Sequence, residues 1–209
     1  ISDGGIQEEI SQGAGRIAGT LGLDNLIMFY DANNIQLSTT VEEVTAENVA
    51  MKYEAWGWKV ITINGNDVAE IRRALTEAKA ETSRPTLIIG NTIMGKGAVG
   101  PDNSSYENKV STHGQPLSAA GVSIADTIKN LGGNPDEPFQ IFPEVAELYA
   151  KRTKELEAIV AERYAAKAEW AKANPELAAK MEQWFSGKAP VIDWKAIEQK
   201  PNQATRAAS

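Results

Sequence analysis

Hydrophobic positions recur at helical spacing over residues 5–23, where Ile6, Ile10, Ala14, Ile17, Ala18 and Leu21 share one face. Glu8 and Glu9 fall in the first turns, where the macrodipole favours negative charge, and Gly22 is a natural stop. Residues 26–30 (Leu-Ile-Met-Phe-Tyr) form a short apolar run, the pattern of a strand buried on both faces. Asp31-Ala32-Asn33-Asn34 follows as turn chemistry. A second helix is predicted over 45–56 with its stop at Gly57, then a β-rich strand over 58–63. Asn64-Gly65-Asn66-Asp67 reads as a turn ending in a helix cap, and Val68, Ile71, Leu75 and Ala78 give the next helix its apolar face. Residues 85–90 supply another buried strand. This alternation predicts an α/β fold: a parallel sheet with right-handed crossovers and helices on both faces.

The remainder changes character. Residues 91–117, rich in glycine and proline, read as one long loop, and loops of that length are usually functional or disordered. A helix is expected over 119–131. Pro143 opens a long segment rich in alanine and charge, which Asn174-Pro175 interrupts before a helix through Trp184 and a short amphipathic piece around Trp194. The predicted division is an α/β domain over 1–142 and a helical extension and linker over 143–209. Both ends read as cuts through a longer protein.

Composition narrows the function classes. With 28 acidic against 21 basic residues the formal charge is −7, the wrong sign for neutralising phosphates along a duplex, so no nucleic-acid partner is expected. There are no cysteines, which excludes disulfides and thiolate metal sites. No apolar run reaches the ~18 residues of a membrane span.

Candidate chemistry lies at two turns. Asp3-Gly4 stands at the head and Asn33 thirty residues later, with one helix and one strand between. Neighbouring parallel strands end on the same side of a sheet, and ligands bind there, so the two side chains can converge. A carboxylate, an amide oxygen and a backbone carbonyl form a hard-oxygen set suited to Mg²⁺ or Ca²⁺. Gly4 and Gly5 would open a helix whose N–H groups face the same spot, an arrangement suited to a diphosphate. Both segments are also ordinary turn signals, so spacing alone leaves a plain-turn reading open.

Asp3-Gly4 with Asn33 resembles the thiamine-diphosphate-binding motif, and the surrounding text resembles transketolase. The segments that carry the resemblance include Gln7-Glu8-Glu9-Ile10-Ser11, Ala18-Gly19-Thr20-Leu21, Tyr53-Glu54-Ala55-Trp56-Gly57-Trp58, Thr92-Ile93-Met94-Gly95-Lys96-Gly97 and Thr112-His113-Gly114-Gln115-Pro116-Leu117. Ala204-Thr205-Arg206 is similar to the family's entry into its pyrimidine-binding domain. The resemblance implies an incomplete thiamine-diphosphate-binding fold in a cytoplasmic, homodimeric enzyme. That enzyme moves a two-carbon ketol group from a ketose phosphate to an aldose phosphate.

Residue by residue, the resemblance implies that Asp3, Asn33 and the Ile35 carbonyl bind the metal and that Gly4 approaches the diphosphate. His113 would lie beside cofactor and substrate as a catalytic group, Arg206 would grip the substrate phosphate, and Glu8 would join a carboxylate network at the dimer interface. It also implies that this stretch alone is inactive. Three departures stand out: Ser2 replaces the family's usual glycine before Asp3, Glu9 stands where the family often has glycine or alanine, and residues 103–109 lengthen the loop before His113. Dihydroxyacetone synthase, deoxyxylulose-phosphate synthase and a non-catalytic scaffold module are the alternative readings.

Overall fold

The computed structural model describes residues 1–189, 191–197, 204 and 206. Three strands, β1 (Ile27–Ala32), β2 (Lys59–Asn64) and β3 (Thr86–Asn91), form a parallel sheet in the order β1-β3-β2. The most buried strand lies in the middle, with Thr86 to Gly90 all buried. Helices α1 (Asp3–Gln7), α2 (Glu9–Leu21) and α3 (Val49–Ala55) contribute Ile6, Ala18 and Tyr53 to a core with Tyr30, Trp58, Leu87 and Ile89. Helix α4 (Val68–Lys79) sets Ala74 and Ala78 against Ile61, Ile63 and Ile88 in a second core cluster. The expected α/β arrangement, helices on both faces of a parallel sheet, is therefore observed. Ser2 adds a parallel bridge to Asp31, whose N–H donates to the Ile1 carbonyl at 2.9 Å.

The helix predicted over 5–23 is two helices. Glu8 leaves helical geometry (φ −62°, ψ 135°) and separates α1 from α2. The predicted apolar face holds at Ile6 and Ala18, which are buried, and fails at Ile10, Ile17 and Leu21, which are 87 %, 58 % and 65 % exposed. Gly15 joins Ala18 facing inward, because α2 approaches its neighbours closely. Trp58 Nε1 donates to the Gly15 carbonyl at 2.7 Å, a distance that leaves no room for large side chains between them. Helix α4 behaves alike: Ala74 and Ala78 are fully buried while Leu75 and Val68 are exposed. Hydrophobicity alone over-weights large residues where close packing selects small ones.

Two predicted helices are shorter than expected. Asn48 accepts from the Met51 N–H at 3.0 Å and starts α3 at Val49, so 45–48 precede the helix. Gly121, at φ +91°, interrupts the stretch predicted from 119, and Ser123 caps α5 (Ile124–Asn130).

The segment 91–117 is folded rather than structureless. Val99 and Ser105 form an antiparallel bridge, and Val110–Thr112 make a 3₁₀ turn. Hydrogen bonds tie it to α5: the Val99 N–H donates to Thr127 Oγ1 (3.1 Å) and Asn130 Nδ2 to the Gly97 carbonyl (2.9 Å). The extra residues 103–109 are part of this folded segment, with Lys109 Nζ 3.8 Å above the Tyr106 ring.

The chain divides into compact units over Ile1–Gln140 and Ile141–Ser209. In the second, α6 (Pro143–Ala173) and α7 (Pro175–Phe185) meet at Asn174, whose Nδ2 donates to the Trp170 carbonyl at 2.9 Å. No residue of α6 is buried. Among the described residues, no helix is long and apolar enough to cross a membrane.

Candidate functional site

The ends of β1 and of the Ile1–Ser2 segment lie side by side because the Ser2–Asp31 bridge sets them in parallel register. Asp3 follows immediately, 2 % exposed, and is the buried acid of the first unit. Its Oδ1 accepts from the Tyr30 hydroxyl at 2.6 Å and its Oδ2 from the Asn33 N–H at 3.2 Å. Asn33 Oδ1 in turn accepts from the Ile35 N–H at 3.0 Å. Asp3, Asn33 and Ile35 thus form one hydrogen-bonded chain across thirty residues of sequence.

The donor set fits a hard cation. Both hydrogen-bond partners of the Asp3 carboxylate are neutral, and among the described residues no Lys or Arg pairs with it, so a cation is the complement a buried carboxylate lacks here. A carboxylate offers about four lone-pair sites and two are used here. Asn33 Oδ1 likewise keeps a second lone pair. Beside them opens a cleft of about 380 Å³ lined by Ala32, Asn33, Asn34, Ile35, Thr40, Thr92 and Asn108. Asn34, at φ +64°, turns the chain around this cleft.

Gly4 is exposed, and a Cβ placed on it would meet nothing within 4 Å, so its backbone borders open space. A helix does open at Asp3-Gly4-Gly5 as expected, but it has only five residues, too few for a substantial macrodipole, and Ser2 Oγ accepts from the Gly5 N–H at 3.4 Å. Ser2 itself is extended (φ −99°, ψ 174°), a conformation open to any residue, so the missing glycine leaves the Asp3 backbone unstrained.

The remaining predicted residues are less tightly joined. His113 is half-buried, and its Nδ1 is buried with no hydrogen-bond partner among the described residues. Leu37 Cδ1 lies 3.1 Å from the position of a Cβ on Gly114, so the His113-Gly114 segment abuts the chain just past Ile35. Gln36 Nε2, in that same stretch, is likewise buried and unpaired among the described residues. Glu8 is exposed at the break between α1 and α2, and Arg206 is exposed in the second unit.

Sequence reasoning missed Tyr30. Burial, then the Asp3 hydrogen bond, then the charges of Asp3 and Asp31 push its phenol above the usual range, so it stays a donor. The available signal was a tyrosine ending the apolar run of 26–30, since a buried phenol needs a partner for its hydroxyl. Thr92, bonded through its hydroxyl to Asp31 Oδ1, was also passed over, although it lines the cleft.

The family model described as "Transketolase, thiamine diphosphate binding domain" matches residues 1–190. The chain belongs to the transketolase family. A transketolase from Streptococcus pyogenes is 35 % identical over 213 residues, covering 99 % of this chain and 27 % of its own length. The chloroplastic transketolase of Spinacia oleracea is 37 % identical, covering all of this chain and 28 % of its own length. Among solved structures, a Pichia stipitis transketolase in complex with sedoheptulose 7-phosphate superposes with a TM-score of 0.79 at 31 % identity, over 98 % of this chain and 29 % of that one. The chain therefore spans a little over a quarter of the length of these transketolases.

Proposed function

We propose that Asp3, Asn33 and the Ile35 carbonyl hold a divalent ion, Mg²⁺ or Ca²⁺, that clasps the diphosphate of thiamine diphosphate, with Gly4 allowing close backbone approach. The observation that supports this reading is the 3.2 Å hydrogen bond from the Asn33 backbone N–H to Asp3 Oδ2, which ties the buried carboxylate to a residue that lines the cleft. Bound thiamine diphosphate supplies the electron sink for carbon–carbon chemistry, and the protein supplies orientation and electrostatics. This chain's share is the handle.

In the longer protein we assign the transfer of a two-carbon ketol unit from a ketose phosphate to an aldose phosphate, carried out by a homodimer. His113 is the catalytic group beside cofactor and substrate; its ring is half-buried, and the buried Nδ1 has no partner among the described residues. Arg206 takes the substrate's terminal phosphate. Glu8, exposed at a helix break, serves a carboxylate network between subunits.

Calorimetric titration of the chain with thiamine diphosphate should show binding in Mg²⁺ that disappears when EDTA removes the metal. Binding that is indifferent to EDTA, or matched by thiamine lacking the diphosphate, overturns the handle. The 209-residue chain alone should not convert xylulose 5-phosphate and ribose 5-phosphate. Measurable sugar-phosphate exchange in a coupled assay would overturn that assignment.

A further inference from the structure

We infer that Tyr30 is a positioning residue for the metal site: its hydroxyl fixes the Asp3 carboxylate in the orientation that binds the ion. The inference rests on Asp3 being a metal ligand. Tyr30 lies on β1 opposite Ile89 of β3, so the sheet determines where its phenol stands. It is 6 % exposed and its O–H meets Asp3 Oδ1 at 2.6 Å. The Asn33 N–H holds the other oxygen. A carboxylate gripped at both oxygens cannot rotate, and its unused lone pairs keep a constant direction. Without the hydroxyl, one oxygen is buried without a donor and the group is free to turn. Partners that orient a ligating side chain typically change metal affinity about 10–100-fold.

Tyr30 also packs in the core with Ile6, Tyr53 and Leu87, so the test must separate orientation from packing. Tyr30→Phe keeps the ring and deletes only the hydroxyl. Ile89→Val loosens the same core cluster without touching Asp3. Mn²⁺ is the probe, with its free concentration read by electron paramagnetic resonance in the presence of thiamine diphosphate. The expected result is Mn²⁺ affinity about tenfold weaker in Tyr30→Phe and within about twofold of wild type in Ile89→Val. Equal affinity in Tyr30→Phe and wild type, or the same loss in both variants, overturns the inference and leaves the metal site standing. Absence of Mn²⁺ binding by the wild-type chain overturns both. If Tyr30→Phe does not fold, NMR of the wild-type chain answers instead. The Tyr30 hydroxyl proton should shift when Mg²⁺ and thiamine diphosphate are added, and an unchanged resonance sinks the inference.

Discussion

Asp3→Ala should weaken thiamine diphosphate binding in Mg²⁺ by more than about a hundredfold, a loss of about 2.8 kcal/mol at 1.4 kcal/mol per factor of ten. Mg²⁺ is usually held by one or two carboxylates together with phosphate oxygens and water, and Asp3 is the one carboxylate of the proposed set. Its removal takes away the only full negative charge among the protein ligands. Asn33→Ala removes a neutral ligand and should cost about tenfold, in line with the smaller contribution of uncharged partners. The metal-free protein should respond differently. Alanine leaves the Tyr30 hydroxyl and the Asn33 N–H without their acceptor, at about 1–3 kcal/mol each, but it also removes an uncompensated buried charge. These oppose each other, so the melting temperature without metal should move little while the affinity collapses. Calorimetry and thermal unfolding on the same sample check both halves. An unchanged affinity would dismiss the carboxylate as a ligand.

Gly19→Ala should cost at least about 3 kcal/mol and lower the melting temperature by roughly 10 °C, at about 2–4 °C per kcal/mol for a domain of this size. In an ordinary helix interior the same change stabilises by about 1 kcal/mol. Here a Cβ on Gly19 would stand 1.8 Å from the Trp56 carbonyl oxygen and 2.9 Å from its carbon, and neither is a flexible side-chain tip. The whole end of α3 must retreat from α2. That retreat strains the bond from Trp58 Nε1 to Gly15 and the packing of Tyr53 on Trp56 and Trp58, whose ring centroids lie 4.9 and 5.1 Å away. Gly13→Ala, on the same helix, meets nothing within 4 Å and should stabilise by about 1 kcal/mol. Thermal unfolding of the two variants should therefore shift in opposite directions, and shifts of the same sign would remove the close-contact argument.

That contrast also explains what could be read from the sequence. The strands were legible as short apolar segments at 26–30 and 85–90; the expected burial on both faces holds for β3, while β1, at the edge of the three-stranded sheet, buries only Tyr30. The buried faces of α2 and α4 were legible only in part: Ala18 and Ala78 are buried as expected, while Gly15 and Ala74, residues whose merit is the absence of bulk, were missed. Periodicity instead pointed at Ile10, Ile17 and Leu21, which are exposed. The break at Glu8 was hidden because each half still satisfies helical spacing. At the site, the meeting of Asp3 and Asn33 was readable from topology: the helical stretch of α1 and α2 returns the chain so that β1 runs parallel beside Ser2. Tyr30 was not, because its hydrogen bond depends on the depth of a side chain rather than on spacing. The segment 91–117 was read as open chain because turn residues do not announce their partners, here Thr127 and Asn130 on α5.

The Ser2–Asp31 bridge carries a consequence for the motif itself. Asp3 and Asn33 are brought into contact by backbone pairing at the strand tips, not by the span of chain joining them. The count of thirty is therefore incidental to that contact. Residues inserted in the turn around Asp24 and Asn25, at the far end of the sheet, would lengthen the tether and leave the Asp3–Asn33 contact in place. A duplication or deletion there changes the interval a pattern search looks for without changing the chemistry it is meant to find.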